Sequence, residues 1–269
     1  MKFALVNNIK SEATKGAIGI CQCCGSPLIA RCGTIKVNHW AHKGTPPCDN
    51  WWEPETEWHR SWKNEFPVDW QEITIQDGKT DEKHIADVKT EHGLVIEFQH
   101  SYINYEEQKL REIFYENMVW VVDGARLKHD YPRFSKAKEN FKATNMPHIF
   151  AIEFAEECFS KNWLKNSVPV VFDFQHAKEI PNQEDLRKNL YCLFPNQLGR
   201  FKILAEISRT AFTNKIKEGE WSQRVKNFML NIHVTDKNQR KREEQEEMIF
   251  KQILQKLPIR TKGYRRRRF

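Results

Sequence analysis

The chain has 269 residues, a formal net charge of +7, 39% hydrophobic residues and 29% charged residues. This composition is typical of a folded, rather polar protein, and its apolar runs are too short to span a membrane. Residues 1–16 lack the long apolar core of a signal peptide, so a cytoplasmic location and no membrane partner are expected. The net positive charge favours a polyanionic partner. The seven cysteines favour metal ligation or free thiols over disulfides.

The first unit contains two pairs of metal-ligand residues. Cys21 and Cys24 have two residues between them, as do His39 and His42. The pairs are separated by roughly fifteen residues, a zinc-ribbon-like spacing, and together they predict a Zn²⁺ site. Four protein ligands leave no open position for water, so the predicted zinc is structural.

Three further cysteines leave the zinc ligand set open. Cys23, Cys32 and Cys48 are each able to replace one ligand, and Cys48 is favoured because it closely follows His42. The alternative is a cysteine-rich loop without metal. Two paired motifs in a segment with little core of its own favour the metal.

A helix is predicted between Pro54 and Pro67, because proline suits the first helical turn and ends a helix further along. Glu55, His59 and Lys63 recur every four residues and share one stripe of this helix. Such a stripe is either an ordinary solvated face or a catalytic edge that borders the core. The neighbouring apolar stripe consists of Trp58, Trp62 and Phe66.

The stretch 84–101 predicts a β-hairpin, in which residues 91–93 form the loop and Gly93 takes the left-handed conformation. In this register Asp87 faces Glu97 across the two strands. The other facing pairs are Thr90 with Leu94 and Ile85 with Gln99. The opposite, wholly apolar face consists of Ala86, Val88, Leu94, Ile96 and Phe98.

Two carboxylates that face each other in a sheet repel, which a purely structural hairpin would avoid. A divalent cation between Asp87 and Glu97 reverses the sign of that cost. Hard cations such as Mg²⁺ take carboxylate oxygens and keep waters for substrate. The hairpin therefore predicts a metal site, with two solvated surface carboxylates as the alternative.

Residues 105–154 are predicted to continue an α/β pattern. Tyr105–Met118 has helical periodicity and Val119–Val122 is a buried strand, so the hairpin strand, the helix and this strand form a βαβ unit. A further strand is predicted at His148–Phe154. The helix is expected to bury Leu110, Ile113, Phe114 and Asn117.

The remainder of the chain is predicted to be mainly helical. Helical stretches are expected at 186–193 and 201–208, and a highly charged helix is expected at 236–257. The segment 260–269 contains five arginines and one lysine and predicts a flexible basic tail. Such a tail binds phosphate backbones without reading sequence, or has no partner.

The motifs of the first half of the chain resemble those of the competence protein CoiA-like family of predicted nucleases. The order is CxxCG with HWAH, then ETEWHRSWK, then ADV with IEFQHS. The family's zinc-binding module often ends in a His-Phe-Ala-His-type motif, which corresponds to residues 39–42. The resemblance covers roughly residues 1–125, and no motif is transferred beyond residue 155.

The helix and strand motifs of this family match individual residues. The family pattern is Glu-Ser/Thr-x-x-His-x-x-x-Lys on the helix, followed by an Asp-Val strand and a Glu-x-Gln strand. The matching residues are Glu55, Thr56, His59, Lys63, Asp87, Val88, Glu97, Phe98, Gln99 and Ser101.

The resemblance implies a restriction-endonuclease-like core of the PD-(D/E)XK superfamily. In that fold an aspartate and an acid on the next strand hold Mg²⁺ or Mn²⁺, roles that fall to Asp87 and Glu97. A lysine two residues later contacts the attacked phosphate or the water. Gln99 occupies that position here, as is common in the family, so a cation must come from elsewhere. Lys63 is the first candidate and Lys89 the second.

Further roles follow from the same resemblance. Glu55 is expected to complete the metal shell, with Glu57 as its substitute if the helix is out of phase. The Phe98 carbonyl is a further candidate ligand. His59 is expected to shuttle protons or to form a hydrogen bond with Asp87.

The predicted fold class is α/β, with a mixed central sheet flanked by helices and a small zinc-ribbon-like module. Three units are expected: a zinc-binding module at 1–50, a nuclease core at 51–155, and a mainly helical C-terminal region at 156–269. The predicted function is metal-dependent hydrolysis of DNA, in DNA uptake and recombination or in defence against foreign DNA. Expected partners are DNA, a second copy in a homodimer, and recombination or defence proteins. The alternative is a non-catalytic DNA-binding accessory factor.

Overall fold

Two β-sheets organise the chain in a computed structural model that describes residues 1–44, 48–51, 53–78 and 81–256. The smaller sheet belongs to the N-terminal module and has the order β2-β1-β3-β4-β5, with antiparallel pairing throughout. A small core cluster that includes Leu28 and Trp40 fills this module. Its strands are β1 (Phe3–Val6), β2 (Ile9–Glu12), β3 (Ile18–Ile20), β4 (Pro27–Arg31) and β5 (His39–His42).

The larger, central sheet has nine strands in the order β10-β11-β14-β13-β12-β9-β8-β7-β6. Only β8 with β9 and β9 with β12 pair in parallel, so the sheet is mixed. Its strands are β6 (Gln71–Gln76), β7 (Lys83–Lys89), β8 (Val95–Gln99), β9 (Met118–Asp123), β10 (Lys142–Ala143), β11 (Ile149–Ile152), β12 (Val170–Asp173), β13 (Asn189–Leu198) and β14 (Phe201–Ser208).

Five α-helices accompany these sheets within the described residues. Several begin at side chains that cap the helix: Thr56 accepts a hydrogen bond from the backbone N–H of His59, and Ser208 accepts one from that of Ala211. The helices are α1 (Glu57–Lys63), α2 (Tyr105–Tyr115), α3 (Asp130–Lys138), α4 (Arg209–Lys217) and α5 (Trp221–Lys256). The expected α/β class with a mixed central sheet is thereby confirmed.

Alternation along β9 assigns its side chains to two core clusters on opposite faces of the central sheet. Trp120 packs in the first cluster, whereas Val119 and Val121 pack in the second. Helix α1 contributes Trp58 and Trp62 to the second cluster. Every residue of β9 is buried, as is usual for a strand covered on both faces.

The central sheet continues through the predicted C-terminal region. The helical stretches predicted at 186–193 and 201–208 are wrong, because most of these residues lie in β13 and β14. The boundary predicted at residue 155 is therefore not a break in the sheet. The charged helix predicted from 236 is confirmed but begins earlier, at Trp221. The basic tail at 260–269 lies outside the described residues.

Helix α2 is oriented differently from the prediction. Leu110 and Ile113, which were expected to be buried, are 57% and 61% exposed. The helix instead buries its polar side, namely Gln108, Arg111, Glu112 and Tyr115. Helix α1 is also shorter than predicted, because it begins after Thr56 rather than near Pro54.

The turn between α4 and α5 contacts the tip of the β7–β8 hairpin. Gly219 has a φ of 74° and lies so close to the ring of His92 that a Cβ atom at residue 219 would be 2.7 Å from it. A side chain at position 219 would displace the His92 ring, and the positive φ also favours glycine in this turn.

Within the described part of the chain, no helix combines the length and apolar character needed to cross a membrane.

Candidate functional site

Three thiols and one imidazole converge in the N-terminal module. The ligand atoms of Cys21, Cys24, His42 and Cys48 all lie within 4.8 Å of one another. Gly25, with a φ of 72°, allows the tight turn that brings Cys24 back beside Cys21. This donor set is one that structural zinc sites use, so the cluster can hold a metal such as zinc.

His39 is the one predicted zinc ligand that does not join this Cys/His cluster. His39 and His42 both lie in β5, and residues three apart in a strand point to opposite faces. The His39 Nδ1 instead forms a hydrogen bond of 2.9 Å with the carbonyl oxygen of Val37. Cys48 takes the fourth position, which was the favoured substitute.

The thiol of Cys24 has a lower pKa than an ordinary cysteine thiol. Burial alone would raise its pKa, but hydrogen bonds from Ser26 and His42 outweigh burial and lower the pKa to about 6. A thiolate rather than a thiol is the metal ligand. The cluster therefore favours a cation at near-neutral pH.

A cavity of about 260 Å³ lies between the module and the central sheet. Its lining includes His42 and Cys48 from the Cys/His cluster, so the two sites adjoin. Six carboxylate residues line it. Asp49 pairs with His84, and we call the other five the acidic cluster: Glu53, Glu55, Glu72, Asp87 and Glu97.

The β7–β8 hairpin has the predicted register. Val88 pairs with Ile96, the Thr90 N–H donates to the Leu94 carbonyl at 2.9 Å, and Gly93 has a φ of 78°. The pairing places Asp87 opposite Glu97. The five side chains of the predicted apolar face are all buried, although Ala86 packs in the first core cluster and the others in the second.

Where Asp87 faces Glu97, backbone N–H groups of the hairpin donate to side-chain carboxylates. The backbone N–H of Asp87 donates to Glu97 Oε1 at 3.2 Å, and the backbone N–H of Phe98 donates to Asp87 Oδ2 at 3.0 Å. Each acid is thus fixed by the neighbouring strand. The two carboxylates stay in place because backbone donors and nearby cations compensate the repulsion between them.

Lys63 is the cation at the centre of the acidic cluster. Its Nζ lies 3.0 Å from Asp87 Oδ1, 3.0 Å from Glu72 Oε1 and 3.2 Å from Glu55 Oε2. Burial opposes the charge, but these three carboxylates outweigh burial and raise the pKa of Lys63 well above its ordinary value. Lys63 is therefore a permanent cation here, whereas Lys89 does not line the cavity.

Glu55 reaches the cluster from outside the helix. It precedes the N-cap residue Thr56, yet its side chain is 3% exposed and contacts Lys63. Its Oε1 atom is buried and has no hydrogen-bond partner among the described residues. Its predicted substitute Glu57 is exposed to solvent, so it is not part of the cluster.

His59 contacts the hairpin backbone rather than Asp87. Its Nε2 lies 2.9 Å from the carbonyl oxygen of Phe98, which can only accept, so Nε2 carries the proton. The hydroxyl of Thr56 lies 2.8 Å from Nδ1. Burial lowers the pKa of His59 and keeps the ring neutral. Its hydrogen bond to the Phe98 carbonyl holds β8 against α1.

Sequence reasoning missed three members of this site. Arg111 donates to Glu97 Oε2 at 3.2 Å from the buried polar side of α2. Glu53 accepts hydrogen bonds from the Gln99 amide and from the backbone N–H of Ser101. Glu72 has a φ of 47° in β6. A sequence signal existed only for Arg111, which lies four residues after Glu107 and pairs with it.

Glu97 holds its proton more tightly than an ordinary glutamic acid. Burial raises its pKa first and the Asp87 carboxylate adds to this, so that the pKa reaches about 8 despite the contact with Arg111. Burial also raises the pKa of Glu53. The cavity therefore has too little positive charge for all its carboxylates to ionise at neutral pH.

The acidic cluster does not converge as the Cys/His cluster does. Across residues 1–44, 48–51, 53–78 and 81–256, only the Cys/His cluster brings three or more ligand atoms within metal-binding distance of one another. Lys63 and Arg111 form ion pairs with these acidic side chains.

Comparisons with family models, with curated proteins and with solved structures found no match to this chain. Both clusters are therefore interpreted from their own residues and geometry.

Proposed function

We propose that the protein is a metal-dependent nuclease that hydrolyses DNA phosphodiester bonds in the cavity of the acidic cluster. The observation that supports it best is the Asp87–Glu97 pair across the hairpin, with the buried ammonium of Lys63 3.0 Å from Asp87. This arrangement fits a restriction-endonuclease-like core and a member of the CoiA-like family. In this proposal the Cys/His cluster holds a structural zinc.

The donor chemistry of the acidic cluster fits Mg²⁺ or Mn²⁺. Mg²⁺ is usually bound through one or two carboxylates and keeps several waters, so three converging protein ligands are not required. Asp87 and Glu97 would hold the ion, and Glu55 offers a buried oxygen without a hydrogen-bond partner among the described residues. The raised pKa of Glu97 supports this, because a cation beside it would favour ionisation.

Lys63 takes the place of the lysine that the strand motif lacks. It is buried, permanently charged and in contact with Asp87, so it would stabilise negative charge on a phosphate bound there. Gln99 is an amide, which cannot act as a base; it contacts the acidic cluster through Glu53, to which its Nε2 donates. A bound divalent ion would supply an activated water and polarise the phosphate. His59 would hold the Phe98 carbonyl in position.

DNA is the proposed partner because the chain is basic overall. Its net charge is +7 although the cavity is acidic, so the positive charge lies elsewhere and is available to phosphate backbones. Lys36 and Lys43 of the module are exposed and would contact the duplex. The activity would serve DNA uptake and recombination or defence against foreign DNA, with a homodimer and pathway proteins as further proposed partners.

A cleavage assay tests this function. Wild type, Asp87→Asn and Glu97→Gln are incubated with Mg²⁺ or Mn²⁺ and with supercoiled, linear duplex and single-stranded DNA. We expect both variants to lose at least about 10³-fold in rate, as enzymes usually do without an essential group. Glu57→Gln, an exposed change on the same helix as Lys63, should cleave normally. Wild-type rates in either acid variant would overturn the proposal.

A DNA-binding accessory factor without cleavage is the second candidate. The ion pairs that Lys63 already forms with the carboxylates, and the glutamine at position 99, favour it. Salt-sensitive DNA binding by wild type and by both acid variants, with no cleavage under any metal condition, would support this function instead.

A further inference from the structure

A second cavity, of about 300 Å³, opens at the carboxyl ends of three parallel neighbours, β8, β9 and β12. Gln99 ends β8, Asp123 ends β9, and Phe174 directly follows β12; all three line the cavity. In α/β sheets the crevice outside the carboxyl ends of the strands is the usual place for a ligand. The volume is at the lower end of the range for small-ligand sites.

The lining of the second cavity combines aromatic rings with cations. Phe159 and Phe172 are buried and stack with ring centroids 4.4 Å apart, and Trp163 lies beside them. At the mouth, Tyr102 is 71% exposed and Arg126 is exposed to solvent. Aromatic faces bind planar rings, so the cavity suits a planar ring. Arg126 at the mouth is able to contact a phosphate of the same strand.

Polar groups that can read the edge of a ring lie at the same cavity. Gln99 is 2% exposed, and its Oε1 atom has no hydrogen-bond partner among the described residues. A buried amide oxygen without a donor is costly, and a ligand N–H would remove that cost. His100 is fixed by a hydrogen bond of 2.7 Å from Nδ1 to Asp123 Oδ2.

The side chain of Gln99 connects the second cavity to the acidic cluster. The Nε2 of Gln99 donates to Glu53, which lines the first cavity, while Gln99 itself lines the second. The backbone N–H of Ser101 also donates to Glu53, at 3.2 Å. The base and the phosphate of a single nucleotide would therefore reach the second cavity and the acidic cluster, respectively.

We propose that the second cavity holds the base of one unpaired nucleotide of the substrate strand, whose phosphate lies toward the acidic cluster. The proposal rests on the proposed nuclease function and makes its substrate a single strand or a strand with a nucleotide turned out of the duplex. A base in a duplex cannot enter such a cavity without leaving its stack.

Mononucleotide binding to the full chain tests the proposal without any cleavage. The probes are dAMP and dTMP, titrated by calorimetry without added divalent cation into wild type and into the Asp87→Asn/Glu97→Gln double variant. Deoxyribose 5-phosphate, which lacks the base, is the control ligand. We expect both proteins to bind the nucleotides, the double variant at least as tightly as wild type because it removes carboxylate charge near the phosphate. Both should bind the control ligand at least about tenfold more weakly.

Two variants locate the binding. Ser160→Trp places a large ring at the exposed mouth of the cavity and should abolish binding, whereas Asn145→Trp adds the same ring at an exposed position outside it. Tyr102→Ala should weaken binding about tenfold through the lost stacking surface. Nucleotide binding that is absent from wild type, or unchanged in Ser160→Trp, would overturn the proposal.

The same variants separate this proposal from the nuclease function. Cleavage by wild type and by Ser160→Trp at equal rates, without mononucleotide binding, would overturn the base-binding cavity alone. Mononucleotide binding that Ser160→Trp abolishes, in a wild type that cleaves no DNA, would overturn the nuclease and leave a nucleotide site in the second cavity.

Discussion

The Cys/His cluster and the acidic cluster adjoin one cavity, yet only the first brings its ligand atoms together. Its four ligand atoms lie within 4.8 Å of one another. In the acidic cluster, Lys63 lies between three carboxylates and Arg111 holds a fourth. Ionised carboxylates repel one another, so a group of them stays together only where cations compensate their charge. A cation site built from acids is therefore supported by the protein's own cations, and its geometry follows their positions.

The largest expected effect concerns zinc content. His42→Ala and Cys48→Ser each remove a member of the Cys/His cluster, and structural zinc contributes about 10–16 kcal/mol in small zinc domains. We expect the metal content, measured by elemental analysis of protein purified without chelator, to fall from one zinc per chain to nearly none. His39→Ala should retain the full content. Equal loss in His39→Ala and His42→Ala would contradict the observed ligand set.

The next effect concerns the buried cation. Lys63→Met leaves Glu55, Glu72 and Asp87 without their shared partner, and breaking a buried ion pair on one side costs about 3–5 kcal/mol. Urea unfolding should show this decrease in the free energy of unfolding. Lys89→Met, on the strand that carries Asp87 but outside the cavity, should change it little. A Lys63→Met variant as stable as wild type would show that the acids do not depend on this ammonium.

A smaller effect is the pH dependence of stability without divalent cations. Because the pKa of Glu97 is raised to about 8 from an ordinary 4.5, the folded chain keeps a proton that the unfolded chain has released. The free energy of unfolding should therefore fall as pH rises from 4.5 to 8, by on the order of a few kcal/mol.

Unfolding curves of Glu97→Gln at several pH values check this expectation. The variant should lack most of the decline, because an amide does not titrate, whereas Glu91→Gln in the exposed loop should keep it. A wild type whose stability does not fall over that range would mean that Glu97 ionises normally.

The smallest effect concerns the contact between the module and the core. Glu72 accepts hydrogen bonds from the backbone N–H groups of Lys2 at 2.6 Å and Phe3 at 2.8 Å. Burial opposes its charge, but Lys63 and these donors outweigh burial and lower its pKa to about 2. Its contribution is therefore complete above pH 4.5 and is lost as the pH falls toward 2.

Glu72→Gln should destabilise the protein by about 1–3 kcal/mol and speed hydrogen exchange in β1. The exposed Glu91→Gln, in the loop of the β7–β8 hairpin, is the matched control and should leave exchange in β1 unchanged. Unchanged exchange in Glu72→Gln as well would mean that other contacts hold the module in place.

The hairpin and its acidic pair were predictable because local rules decide them. Gly93 in the left-handed conformation fixes the loop, and the loop fixes the register that places Asp87 opposite Glu97. That Cys48 rather than His39 joins the Cys/His cluster was harder to predict from the sequence. It follows from β5 being a strand, whereas the two-residue gap between the histidines suits a turn equally well.

Prediction failed where tertiary contacts override local pattern. Leu186, Leu190 and Leu193 have helical spacing, but β13 is an interior strand buried on both faces, and such strands show no alternation. Helix α2 turns its polar side inward because Arg111 pairs with Glu97 and Glu112 accepts from the indole of Trp120. Neither partner is identifiable from the helix sequence alone.

The contact between His92 and Gly219 restricts how this chain can change in length. Surface hairpin loops usually accept insertions and deletions. Here the loop that follows the Asp87 strand touches a glycine turn more than a hundred residues later. An added residue at positions 91–93 would alter the contact between His92 and this turn, so we expect insertions here to be tolerated less well than in loops that contact no distant segment.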